Sequence, residues 1–203
     1  MKLEIKFNPE DVAKVKLLLS EIEAARCLRN ALNDTITGIQ TDAARAVYAD
    51  LNLTQTRIKQ GFRIQRATID DLYGSFRSIG KPVNLASFTG SRMTTRGLSV
   101  KVKRNGTRTT LKHGFIWSRL TKQGDEAKTA FQRAYIGTRT KASNKLPWRK
   151  MPEHYRLPLE TLTGPRIEDI LGREDILSSL SALAGERLEK NTERELDWIL
   201  SKH

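Results

Sequence analysis

A chain of 203 residues with 38% hydrophobic residues, one cysteine and a net charge of +13 has room for one compact domain, or for a core with extended arms. No apolar run approaches the ~20 residues that cross a bilayer and the N-terminal residues lack a signal-peptide pattern, so no membrane partner is expected. The lone cysteine, Cys27, excludes an intrachain disulfide framework and a cysteine-rich metal site, and points to assembly in a reducing compartment.

The placement of the charge is more informative than its size. Residues 1–53 carry 7 basic and 8 acidic side chains, residues 54–123 carry 15 and 2, and residues 124–203 carry 14 and 13. The whole excess therefore resides in the middle third, where Asp70 and Asp71 are the only acids. Such concentration suits a polyanion, an acidic protein or an electronegative assembly surface, and a merely solvated face would normally mix its signs.

In chain order, Asn8-Pro9-Glu10-Asp11 predicts a helix start: a capping side chain, proline at the first helical position and acids at the positive end of the dipole. From Val15 through Leu18, Ile22, Ala25, Leu28, Leu32, Ile36, Ile39, Ala43 and Val47 to Leu51, apolar residues recur at steps of three or four, one face sustained for about ten turns. Gly38 costs ~1 kcal/mol inside a helix, so two helices or a bend are expected there. A helix of ~60 Å, at 1.5 Å per residue, exceeds a small domain, so part of the stripe is expected to pack on a neighbouring chain. Asn52-Leu53-Thr54 ends it, and Thr54 opens a short turn.

Beyond Gly61 the texture becomes that of strands. "FRIQRAT" and "SVKVK" alternate apolar and basic residues, which predicts one buried and one charged face. "GSFRSIGKPVNLASF" reads as two short strands about Gly80-Lys81-Pro82. Asn105-Gly106 is the strongest short hairpin signal in the chain and predicts pairing of Leu98–Lys103 with Arg108–Lys112. On this hairpin Val100 and Val102 face the core, Lys101 and Lys103 lie opposite, and Arg104 and Arg108 flank the turn in solvent. With Lys112 these form a candidate assembly or DNA-facing surface, which Arg139, Lys141 and Lys145 extend. "KQGDEAKT" reads as a loop, "AFQRAYIG" as a strand, and Thr138–Met151 as a basic connector that orders on assembly. Pro158 and Gly164-Pro165 punctuate an extended segment leading to a short helix. A last helix from Glu174 aligns Leu177, Leu180, Ala184, Leu188, Leu196 and Ile199.

The order helix, strands, helix predicts an α+β fold with a long N-terminal helix, a central antiparallel basic sheet with hairpins and a C-terminal helix. Residues 1–203 read as one domain: a helical arm (1–53), a β-rich basic body (54–137), a basic connector (138–156) and C-terminal extended segment and helices (157–203).

No catalytic, cofactor or metal site is expected. His113, His154 and His203 do not share ligand spacing with one another or with Cys27, which reads as a buried small hydrophobe. Glu168-Asp169 and Glu174-Asp175 complement helix dipoles without any need for acid–base work. Phosphate-cradling and nucleophile-elbow motifs do not occur. Phe62, Tyr73, Phe76, Phe88, Phe115 and Trp117 mostly alternate with polar residues, as core-facing strand positions do. Any nucleic-acid contact would therefore be with phosphates, nonspecific and salt-sensitive.

The segment "ALNDTITGIQTDAARAVYADLNLTQTRIKQGFRIQRAT" (Ala31–Thr68) resembles the segment opening the phage minor tail protein Z family. "GKPVNLASF", "GLSVKVKRNGTRTTLKHGFI" and "RLPLETLTGPRIEDILG" resemble its later blocks in the same order. The motif positions are Lys112-His113-Gly114-Phe115-Ile116 and Leu157-Pro158 with Gly164-Pro165. Ser118–Pro152 is longer than the family pattern, and residues 1–30 carry no signature of it. The resemblance implies a virion structural protein of a long-tailed bacteriophage, made in the host cytoplasm and completing the head-proximal end of the tail. Its implied partners are further copies in a ring, most simply a hexamer, tail-terminator or tail-tube proteins, and head-completion or connector proteins. Packaged DNA is a further candidate contact. No enzyme is implied. The rival class is a nonspecific nucleic-acid-binding protein of ribosomal or chromatin type; a nuclease ranks below it for want of a carboxylate cluster to hold Mg²⁺.

Overall fold

The computed structural model describes residues 2–123, 126–137 and 159–202, with backbone alone for 117–123, 126–133, 135–137, 159 and 160. The chain is α+β, with long helices at both ends of the sequence and antiparallel strands between them. Its contacts gather into two compact units. One comprises Met1–Ala49, Gln55–Lys81 and Arg166–His203; the other comprises Asp50–Thr54 and Pro82–Pro165.

The first unit is the helical one. It holds β1 (Lys2–Ile5), α1 (Pro9–Leu18), α2 (Glu21–Asp50, bar its last residue), α3 (Gln55–Lys59), β2 (Phe62–Gln65), β3 (Gly74–Ser78), α4 (Ile167–Leu171) and α5 (Glu174–Leu200). The expected N-terminal helix is broken, but not at Gly38. Leu19 adopts an extended conformation, and both the N–H and the hydroxyl of Ser20 donate to the Glu23 carboxylate, which restarts the helix. Gly38 lies inside unbroken α2 because a methyl there would overlap the Arg187 guanidinium. That guanidinium reaches across the glycine to Asp42 at 2.6 Å. Close approach, not backbone freedom, explains this glycine. Asn8 occupies the cap position of α1, but its side chain makes no capping bond.

The apolar stripe of α2 does not wait for a neighbouring chain, contrary to the expectation. Cys27, Leu28, Leu32, Ile36, Ile39, Ala43 and Val47 are fully buried within the chain itself. Val15, Ala24, Cys27 and Leu28 close one end of this core against Ile199 of α5. Leu177, Leu180, Ala184, Leu188, Leu196 and Ile199 of α5 are all buried or half-buried, as their spacing predicts. Only Leu18 and Ile22 of the stripe stay out, 59% and 63% exposed, where the break between α1 and α2 turns the chain.

β1, which sequence reasoning missed, joins β3 and β2 in a three-stranded antiparallel sheet of order β1-β3-β2. Strand alternation puts Leu3, Ile5, Phe62, Ile64 and Phe76 on one face. Phe62 and Phe76 meet edge to face at 4.8 Å between ring centres. Gly74 lies directly under Ile36 of α2, leaving no room for a side chain. Asn33 of α2 pins the end of the sheet, giving and receiving a hydrogen bond with the Ala67 backbone.

The second unit is built of strands: β4 (Pro82–Asn84), a 3₁₀ turn (Leu85–Ser87), β5 (Arg92–Thr94), β6 (Gly97–Val100), β7 (Thr109–Leu111), β8 (Gly114–Gln123), β9 (Glu126–Gly137), β10 (Leu159–Thr161) and β11 (Thr163–Arg166, its last residue counted with the helical unit). They form sheets of order β5-β6-β7 and β10-β9-β8 and a β11-β4 pair. The loop expected over Lys122–Thr129 is a correction: all but Gly124 and Asp125, which lie outside the described residues, belongs to β8 and β9. The backbone makes the ladder, so polar side chains do not stop a strand whose neighbour is in register. Leu51, Leu53, Val83, Leu85, Phe88, Leu98, Val100 and Ala134 are buried here.

Candidate functional site

The basic hairpin forms, but not as the Asn-Gly signal predicts. β6 pairs with β7 through Leu98↔Leu111, Ser99↔Thr110 and Val100↔Thr109, and the ladder stops there. Residues 101–108 form a wide loop in place of a two-residue turn. The reason lies at the end of α2. Leu51 bridges Lys103, the Asn52 N–H donates to the Val102 carbonyl at 2.9 Å, and the Arg104 N–H donates to the Asp50 carbonyl at 2.8 Å. Asp50–Asn52 thus take up the backbone groups that the predicted hairpin would have used.

Asn52, read from sequence only as a helix breaker, organises this loop. Its side-chain amide donates to the carbonyls of Thr89 (2.8 Å) and Lys101 (3.1 Å), and its backbone carbonyl accepts from the Thr89 N–H (2.8 Å). Its place just after a long helix was the only available signal. Asn84 performs the same office further on: its Oδ1 accepts from the N–H groups of Ala86 and Ala134.

The predicted basic residues therefore divide. Lys103, Arg108 and Lys112 are exposed, whereas Lys101 and Arg104 are half-buried. Arg108 is already committed, donating to the Gly90 carbonyl at 2.7 Å. The expectation of a freely solvated Arg104 is corrected, because the pairing of its backbone with Asp50 draws it inward. Val100 is buried and Val102 half-buried as predicted, but Ser99 just before them is buried too and Lys101 between them is half-buried, so β6 (Gly97–Val100) has no charged face. Arg139, Lys141 and Lys145 lie outside the described residues, as do the Thr138–Met151 connector, Leu157 and Pro158.

The motif positions that are described have packing roles. Gly114 is buried at the start of β8, where a methyl would press on Leu98, the Leu111 carbonyl and Leu162. Phe115 and Ile116 follow it half-buried, and the preceding His113 takes a positive φ of 64°. Gly164 lies against the Phe88 ring and Leu85, and Pro165 is exposed beside it.

In the helical unit an open cleft of about 680 Å³ lies among Arg29, Asn30, Asn33, Asp34, Arg66 and Glu195. Its charges are of both signs and largely engaged. Arg194 bridges Asp34 and Glu195, which holds its guanidinium pKa above the usual value, and Asn33 is committed to Ala67. Among the described residues there is no group of three His, Cys, Asp or Glu side chains able to hold a metal ion. No helix among them is long and apolar enough to cross a membrane. Comparison with models of known families, with curated proteins and with solved structures finds no match.

Proposed function

We propose that this chain is a structural protein of a tailed-phage virion, a tail completion protein forming a ring at the head-proximal end of the tail and enabling head–tail joining. The observation that carries this reading is the ordered series of four sequence blocks, Ala31–Thr68, Gly80–Phe88, Gly97–Ile116 and Arg156–Gly172, similar to those of the minor tail protein Z family. Close-packed glycines within them, at 38, 114 and 164, suit a rigid building block more than a gated active site. Lys103 and Lys112, exposed on the strand unit, supply charge for an acidic neighbouring ring. Deleting the gene from its genome and imaging the lysate tests the reading. Full heads and full-length tails that remain separate are expected, with the wild-type protein labelled at the head-proximal end of the tail; intact infectious particles made without it overturn the proposal.

A further inference from the structure

The sheet β1-β3-β2 carries a second basic surface that the charge count alone does not reveal. In its register Lys2 stands opposite Arg77, and Arg77 opposite Arg63, so three cations form one row across three strands. All three are exposed, on the face turned away from Phe62 and Phe76. Directly paired residues are about 4.5–5.5 Å apart at Cα, and like charges so placed destabilise a sheet. Among the described residues no acidic side chain pairs with Arg63 or Arg77. The one acid on the face, Glu4, is taken by Lys2 at 2.6 Å and Lys6 at 3.6 Å. Those lysines also flank the Tyr73 ring at 5.7 and 5.2 Å. Gln65 and Ser75 complete the face, which has no aliphatic side chain.

A local rule broken without compensation inside the fold marks a surface shaped for something outside it. The charge density selects the partner. Three cations within about 10 Å call for anions spaced as closely, and duplex DNA carries one negative charge per ~1.7 Å of axis. Acidic protein surfaces ordinarily mix their signs, and a protein interface would normally bring apolar contacts to its centre. Two of the three cations are arginines, whose planar fork suits phosphate oxygens. We propose that this outer face docks on the phosphate backbone of duplex DNA, with Arg63 and Arg77 as the principal contacts and Lys2 and Lys6 beside them. Contact is independent of base sequence, and the surface is separate from the 97–113 hairpin.

Fluorescence anisotropy of a labelled mixed-sequence 30-base-pair duplex, titrated with the full chain between about 50 and 300 mM salt, tests this. Wild type is expected to show log K falling linearly with log salt. The Arg63→Gln/Arg77→Gln variant is expected to bind at least tenfold more weakly at the lowest salt, with a slope shallower by about 2, near 0.9 per lost phosphate contact. Its melting temperature should be unchanged or raised, because a like-charge pair has gone. The Lys103→Gln/Lys112→Gln variant, with the same net charge, should keep most of the wild-type affinity. The proposal is overturned by no duplex binding at the lowest salt, by a slope unchanged in the arginine variant, or by equal losses in both variants. It is overturned too if the arginines prove necessary for binding polyglutamate but not the duplex. None of these outcomes depends on head–tail joining, so the two proposals fail separately.

Discussion

At the scale of single residues, burial and backbone satisfaction carry the consequences. Cys27 is fully buried in the core of the helical unit, and burial, with Glu195 nearby, pushes its thiol up to about 11 from 9.0. The thiol form is therefore favoured by folding. Between about pH 9 and 11 the unfolded chain ionises this group and the folded chain does not, so stability falls as pH rises through that window. The loss is on the order of 1–3 kcal/mol. Denaturant midpoints of wild type and Cys27→Ser across pH 8–11 check this: the wild type should lose stability more steeply. Below pH 9 the native thiol should resist a soluble disulfide reagent that labels the denatured chain at once.

Asn52 invites a second residue-scale test. Its side chain holds the Thr89 and Lys101 carbonyls together, contacts that leucine or alanine would abandon. Asn52→Ala should cost about 1–3 kcal/mol, as expected for polar groups left without partners. Faster amide exchange should be confined to residues 88–91 and 101–104. A stability loss spread evenly over the helices would contradict this placement.

At the scale of elements, the contact between α2 and β3 is the sharpest. Ile36 reaches into the space that a side chain at Gly74 would fill, and Gly74 pairs with Ile5 of β1 at the sheet end. Gly74→Ala should destabilise by ~1–3 kcal/mol through overpacking. Ile36→Val removes the offending Cδ1 at a cost of ~0.5–1.5 kcal/mol on its own. Combined, the two changes should cost less than their sum, a coupling that chemical denaturation of the four proteins measures. Exact additivity would mean that α2 and β3 adjust independently. A comparable balance holds where Gly38 lets Arg187 pair with Asp42. There, the helix propensity that alanine would gain opposes the loss of a half-buried ion pair.

At the scale of the whole molecule, the proposed role predicts a ring of sixfold symmetry, to match a phage tail. An uncovered helical stripe no longer motivates it, because α2 buries its stripe within its own chain. Among the described residues, the large apolar side chains left exposed include Leu17, Leu18 and Ile22 around the α1–α2 break, together with scattered positions such as Trp198 and Leu200. The motive is now the resemblance of the sequence blocks. Reconstruction of the particle neck should show six symmetric copies, and a single asymmetric copy would refute the ring.

The sequence by itself determined the α+β class, the start and stripe of α5, the extent of the apolar stripe in α2 and the existence of the β6–β7 hairpin, though not its turn or register. Each rests on periodicity or turn chemistry within a short window, which the finished fold does not reverse. It also determined that the basic excess lies in residues 54–123. Only the tertiary structure decided which of those charges are free. Arg108 is spent on Gly90, Arg104 is drawn in by Asp50, and Arg63 and Arg77 are set face to face by a register with no local signal. The expected bend at Gly38 failed for the same reason: its neighbour Arg187 is 149 residues away in the chain. Periodicity reports which way a residue faces; only packing between distant segments decides what it meets there.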